Sequence, residues 1–383
     1  MPIKLIHIAD VLLDASFAEA HMTAAAGAQQ RHRLREVLQE TVRRAMEWPA
    51  DALLIAGNLF DGARVTRDTL AFLSACFEEA APLPIVAAPG PADPLAPDSP
   101  YLTEPWPDNV TVCGAAGWTA QPVPDLGVVV HAYAWNQDSP RHGALPALTL
   151  EGGARENAVL LAHTGAGPEM RARTIQQLAG LRPLYGALGG PHTCGPCEPE
   201  GGRLFFSGAP EPHGFHEPGT HHRLEATLDL ERGELDVRER PSAKTVYQIE
   251  DVDCANFTHA RQVAAAISAF LREGHPAQAL RVRLRGPRPE KLTEALAEAK
   301  PGLADQAAFL ELLDRTHEAG DYAALAQDHS TTQGAFVRRI NAAIQDAPDE
   351  ATHRLLTRAR ALGITAYGSH GLTMPVPGEG GAR

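Results

Sequence analysis

The chain has 383 residues, 44% hydrophobic and 21% charged, which is long enough for one large domain and a smaller one. No apolar run approaches the roughly 18 residues that span a bilayer, and the first residues lack the apolar core and cleavage site of a secretory signal. A net charge of −13 at pH 7 gives no global attraction for nucleic acid, so contact with DNA requires a local basic patch or a partner.

The run Ile3 to Ile8 is too continuously apolar for a one-sided strand and reads as a central parallel strand buried on both faces. It ends at Asp10, on the carboxyl edge where open α/β sheets bind ligands. A helix is predicted over 30–46, because Leu34, Val37, Leu38, Val42, Ala45 and Met46 recur at three and four. A strand over 52–56, a helix over 66–77 and a strand opening IVAAPGPAD at 85–93 complete β-α-β-α-β, the pattern of a layered α/β domain. The proline-rich stretch 89–107 reads as a loop, 110–112 and 128–131 as strands, and Trp118 and Trp135 as packing residues. A strand over 158–163 ends at His163, a short helix is centred on 174–178, and YGALGGPH at 185–192 ends at His192.

A strand over 204–208 and a hairpin turning at Arg232-Gly233 close the first domain near Arg240. Residues 241–300 read as a small α/β unit with helices over 258–271 and 289–299 and a strand over 279–284. In that strand Leu280, Val282 and Leu284 face inward, while Arg281, Arg283 and Arg285 form a basic stripe that suits either phosphate contact or a solvated face. Residues 301–372 read as helical, with LADQAAFLELLDR and QGAFVRRINAAIQ the best apolar stripes, and 373–383 as a disordered tail.

Five cysteines form an odd, sparse set that suits a reducing cytoplasm. Cys194 and Cys197 sit in a Cys-x-x-Cys pair, half of a structural zinc site, and no other cysteine pair completes it. His213, His216, His221 and His222 follow and supply imidazoles for a rebuilt zinc site. The alternative is a glycine- and proline-rich surface loop.

Five segments carry a resemblance: Asp10-Val11-Leu12, Gly57-Asn58-Leu59-Phe60-Asp61, Gly90-Pro91-Ala92-Asp93, the strand ending in His163, and Gly189-Gly190-Pro191-His192. In order and spacing they resemble the signature blocks of the calcineurin-like metallophosphoesterases, in particular the bacterial SbcD and YhaO branch of DNA-repair exonucleases. The blocks read D-x-H, G-D-x-x-D, G-N-H-D, a strand ending in His, and G-H-x-H. WPDNVTV and LGVVVHAYAW, at 106–112 and 126–135, also look like the YhaO branch. The resemblance implies a metallophosphoesterase β-sandwich flanked by helices over 1–240, a small α/β cap over 241–300 and C-terminal helices.

In that family two divalent cations share a bridging carboxylate and activate a hydroxide for phosphodiester cleavage. Carried onto this chain, the first cation has Asp10, residue 12, residue 58 and His192, and the second has residues 58 and 91, His163 and residue 190. Leu12, Asn58, Pro91 and Gly190 replace ligands, and Ala92 stands where the family keeps a histidine beside the phosphate. Asp10, Asn58, His163 and His192 remain as a residual metal set, with Asp61 and Asp93 as loop supports. The expectation is one weakly held manganese or zinc, or none. It makes the chain a catalytically impaired scaffold or regulatory subunit of a DNA-processing complex. The alternatives are a phosphodiesterase or nuclease with a single divalent metal, and a non-enzymatic interaction module. The implied partners are an SMC-like coiled-coil ATPase, met through Phe336, Ile340 and Ile344, DNA through that complex, and a second copy in a homodimer. The implied compartment is the cytoplasm.

Overall fold

The structure is a computed structural model and describes residues 2–17, 22–114, 117–123, 126–140, 144–150, 157–165, 167–198, 201–257, 259–271, 277–316 and 322–368. The predicted tail 373–383 lies outside the described residues. Two compact units result: Met1–Gln248 with Glu273–Leu280 and Ala307–Phe309, and Ile249–Arg272 with Arg281–Gln306 and Leu310–Arg383. No helix among the described residues is long and apolar enough to cross a membrane.

The chain begins with β1 (Ile3–Ile8), α1 (Ala24–Glu47), β2 (Ala52–Ala56), α2 (Arg67–Glu78), β3 (Ile85–Ala88), α3 (Pro100–Thr103) and β4 (Val110–Val112). There follow β5 (Gly117–Val123), β6 (Val128–Ala134), β7 (Ala158–His163), α4 (Pro168–Ala179), β8 (Tyr185–Gly189), β9 (Gly195–Pro196), β10 (Leu204–Phe206), β11 (His222–Asp229) and β12 (Glu234–Pro241). The rest is β13 (Thr245–Asp253), α5 (Ala260–Phe270), β14 (Ala277–Arg285), α6 (Leu292–Ala304), β15 (Phe309–Asp314), α7 (Tyr322–Gln327), α8 (Thr332–Gln345) and α9 (Glu350–Gly368).

The fold is layered α/β. One six-stranded sheet has the order β12-β11-β1-β2-β3-β4 and the other β5-β6-β7-β8-β10-β9. Strands β1 to β4 are mutually parallel, as are β6, β7, β8 and β10. The two sheets pack face to face, with β2 against β7 and β8 and β3 against β6 and β7. This explains the continuous apolar runs, since each central strand is covered on both faces. In β7, Val159 and Leu161 enter the core shared with the first sheet, while Leu160 and Ala162 pack with Met170 and Leu178 of α4. Leu34, Leu38 and Val42 of α1 and Leu73 and Phe77 of α2 join the first sheet's core, as the stripe in α1 predicts. A third sheet has the order β13-β14-β15.

Four elements differ from the sequence expectation. The alanine-rich segment before residue 30 is the start of α1, where alanine is the best helix former and the Thr23 hydroxyl accepts from Ala26 N–H at 3.1 Å. A single short helical turn, α3, interrupts the proline-rich loop, with Pro100 at its start. β5 was not foreseen; it pairs only with β6, an edge position that tolerates Pro122. LADQAAFLELLDR is not one helix: its first two residues end α6, and FLELLD forms β15. Short apolar runs fit either period, and here strand pairing decides, with buried Glu311 held by Arg281 from β14.

Candidate functional site

β1 and β2 run parallel in one sheet and β7 and β8 in the other, and the carboxyl ends of these four strands reach a common edge. Asp10 and Asn58 sit there with left-handed backbones, φ 54° and 56°. Non-glycine residues adopt that region at a cost, and such strain gathers where a site has to be shaped. The turns are tied together by Asp10 N–H to Gly57 O at 3.0 Å and Leu12 N–H to Asn58 O at 2.9 Å. Gly57 has φ +89°, and a Cβ there would stand 2.8 Å from that of His163, so only glycine lets these turns approach.

The side chains of the residual set meet. Asn58 Nδ2 donates to Asp10 Oδ1 at 2.7 Å, and His163 Nε2 lies 2.9 Å from the same oxygen. Gly165 N–H donates to His163 Nδ1 at 3.0 Å, which puts the proton of a neutral ring on Nε2 and makes it the donor to Asp10. Ala92 N–H donates to Asn58 Oδ1 at 2.8 Å, which turns the amide nitrogen toward Asp10. Gly190 N–H donates to Asp10 Oδ2 at 3.0 Å. The fully buried Asp10 carboxylate thus has three donors and satisfies its charge without a cation. Burial alone would raise the Asp10 carboxyl, but His163, His192 and Asn58 outweigh it and hold it below its ordinary value.

Asp93 and Asp61 act on the backbone. Asp93 accepts from the N–H groups of Asn58 at 3.0 Å, Leu59 at 2.6 Å and Gly90 at 2.6 Å, and from the Tyr101 hydroxyl at 2.8 Å. Burial pushes its carboxyl up against the pull of these donors. Asp61 accepts from Ala63 N–H and from Arg64. Trp135, expected only to pack, also donates from its indole to the His163 carbonyl at 2.7 Å.

His192 belongs to a second cluster. Its Nε2 lies 3.7 Å from Asp10 Oδ1, while its Nδ1 lies 2.6 Å from Glu217 Oε1. His213 Nδ1 is 3.4 Å from Glu217 Oε2, and His216 Nε2 is 2.9 Å from Oε1. The ligand atoms of His192, His213 and Glu217 all lie within 4.8 Å of one another. Burial would raise the Glu217 carboxyl, but the hydrogen bonds of His192, His213 and His216 hold it far below the usual carboxylate range. For His192, burial lowers the pKa and the two carboxylates raise it, with a net upward shift. Glu217 was missed from the sequence; the spacing His213-x-x-x-Glu217 beside His216 was the available signal.

Cys194 and Cys197 flank β9 and are not part of this group. Burial pushes both thiols up, Cys194 to about 12, which disfavours the thiolate that zinc requires. In the smaller unit Arg281 pairs with Glu311, Arg283 and Arg285 with Asp251, and Arg288 with Asp314. The basic stripe is paired with carboxylates, two of its three arginines sharing Asp251. Phe336 of α8 packs against Tyr367 of α9.

No family model matches the chain, and no curated protein matches it. A solved structure, TT1561 of Thermus thermophilus, is similar at 16% identity, covering 62% of this chain and 99% of its own, with a TM-score of 0.37.

Proposed function

We propose that the chain has the scaffold of a calcineurin-like metallophosphoesterase of the SbcD and YhaO kind with its two-cation chemistry dismantled. It serves as a scaffold or regulatory subunit of a DNA-processing complex. The observation that carries this reading is the contact of Asn58 with Asp10. Where the family's bridging carboxylate would neutralise two cations, a neutral amide donates a hydrogen bond to the remaining aspartate. Its oxygen accepts from Ala92 N–H, which holds the amide nitrogen, a non-ligand, toward Asp10. Gly190, in the place of a family histidine, has φ +136°, a conformation that L side chains rarely adopt. These residues do not fit the family's cation pair.

The test is hydrolysis of bis(p-nitrophenyl) phosphate and of linear duplex DNA by the full chain with manganese. The expected result is no turnover above the Asp10→Ala variant. Manganese-dependent hydrolysis lost in Asp10→Ala and His163→Ala would overturn the reading. For the complex, copurification of a co-expressed long coiled-coil ATPase is expected, and failure of the two to associate would leave a stand-alone module.

A further inference from the structure

We propose that His192, His213 and Glu217 bind one divalent cation of the zinc class, at a position displaced from the residual set around Asp10 and Asn58. The inference goes beyond the functional reading above and does not depend on it.

The convergence of three ligand atoms carries the argument. His213 Nε2 faces the Val11 carbonyl at 3.3 Å and His192 Nε2 faces Asp10 Oδ1 at 3.7 Å. Each Nε2 is thus turned away from Glu217 and each Nδ1 toward it. Both Nδ1 atoms point at Glu217, one toward each carboxylate oxygen. Without a cation the imidazoles hydrogen-bond to the carboxylate, and a cation displaces those protons and takes all three ligand atoms. For His213 the Val11 carbonyl supplies what metal-binding histidines require, an oxygen acceptor on the ring nitrogen away from the metal.

The spacing agrees. At zinc bond lengths, tetrahedral ligand atoms stand roughly 3.4 Å apart. His213 Nδ1 and Glu217 Oε2 are separated by 3.4 Å and the whole group spans no more than 4.8 Å, while His192 Nδ1, 2.6 Å from Oε1, has to turn away from that oxygen to ligate. Two imidazoles and one carboxylate form a mixed nitrogen and oxygen set that suits zinc and leaves a fourth position open. The group is also held from behind. Glu217 and His213 side chains are 7% and 9% exposed, His213 stacks on Phe17 at 6.1 Å between centroids, and the His221 ring is braced between the Ala209 and Glu217 carbonyls. His216, 67% exposed, sits at the rim against Oε1.

The experiment is metal content by elemental analysis after chelation, zinc loading and gel filtration of the full chain, with affinity measured by calorimetry. The wild type is expected to hold one zinc. Glu217→Gln and His213→Asn should weaken it by more than the roughly 10- to 100-fold that loss of an orienting partner costs, and Cys194→Ser with Cys197→Ser should leave it unchanged. Circular dichroism of each variant separates loss of zinc from loss of fold. Cobalt loading of the wild type gives a second readout that needs no substitution, with bands of a nitrogen and oxygen site expected. No stoichiometric zinc, zinc unaffected in both ligand variants, or a sulfur-to-cobalt charge-transfer band would each overturn the proposal. Activity plays no part in these readouts, so they stand or fall apart from the hydrolysis test.

Discussion

The two clusters that share the neighbourhood of Asp10 handle buried charge in opposite ways. Around Asp10, every strong acceptor meets a donor: Asn58 Nδ2, His163 Nε2 and Gly190 N–H close on one carboxylate. Around Glu217, one carboxylate gathers three imidazole nitrogens, those of His192 and His216 at Oε1 and that of His213 at Oε2. The first cluster is closed by donors drawn partly from the backbone, and the second presents a carboxylate and imidazoles that a cation can take over. What closes the first is the Asn58 amide, because a carboxylate at that position would repel Asp10 where the amide donates to it.

Placing a carboxylate at position 58 should give the largest effect. Asn58→Asp sets a second carboxylate against buried Asp10 and should lower stability by roughly 3–5 kcal/mol in urea unfolding of the metal-free chain. Manganese that restored the loss would show that the first cluster still accepts a cation. Removing the support beneath it comes next. Asp93→Ala strands the Asn58, Leu59 and Gly90 amides and the Tyr101 hydroxyl, at a cost on the order of 3 kcal/mol in the same measurement.

The pH dependence follows from His7, buried three residues before Asp10. Burial lowers its pKa from 6.5 to about 3, against the Leu188 carbonyl and Asp10, which raise it. The native state therefore keeps it neutral while the unfolded chain takes up a proton below 6.5, so its contribution is present above that value and lost as pH falls toward 3. Between pH 7 and pH 5 the loss is about 2 kcal/mol, and His7→Gln should flatten the urea midpoint over that range. The smallest effect belongs to the rim of the second cluster. His216→Ala, at a position 67% exposed, should cost under about 1 kcal/mol and leave zinc stoichiometry unchanged.

The layered sheet was legible because strands covered on both faces are largely apolar, as β2 is throughout and β1 and β7 are but for Lys4, His7 and His163. Asp10, Asn58 and His163 were legible for a related reason, each following the last residues of such a strand. What lay hidden depended on partners distant in sequence. FLELLD carries no decisive period, and only β14 with its Arg281 makes it a strand. Glu217 lies in a loop with no periodicity, and its meaning comes from His192, twenty-five residues earlier, reached through the turn after β8. The arginine stripe on β14 was visible, but the carboxylates that compensate it were not, since Asp251 and Glu311 belong to neighbouring strands.

The most direct test of the contrast is anomalous diffraction from crystals of the full chain grown with zinc and manganese, recorded on either side of each metal's absorption edge. The account predicts one zinc peak enclosed by His192, His213 and Glu217, and no peak of either metal among Asp10, Asn58 and His163. A manganese peak bridged by Asn58, or a pair of peaks straddling it, would contradict it.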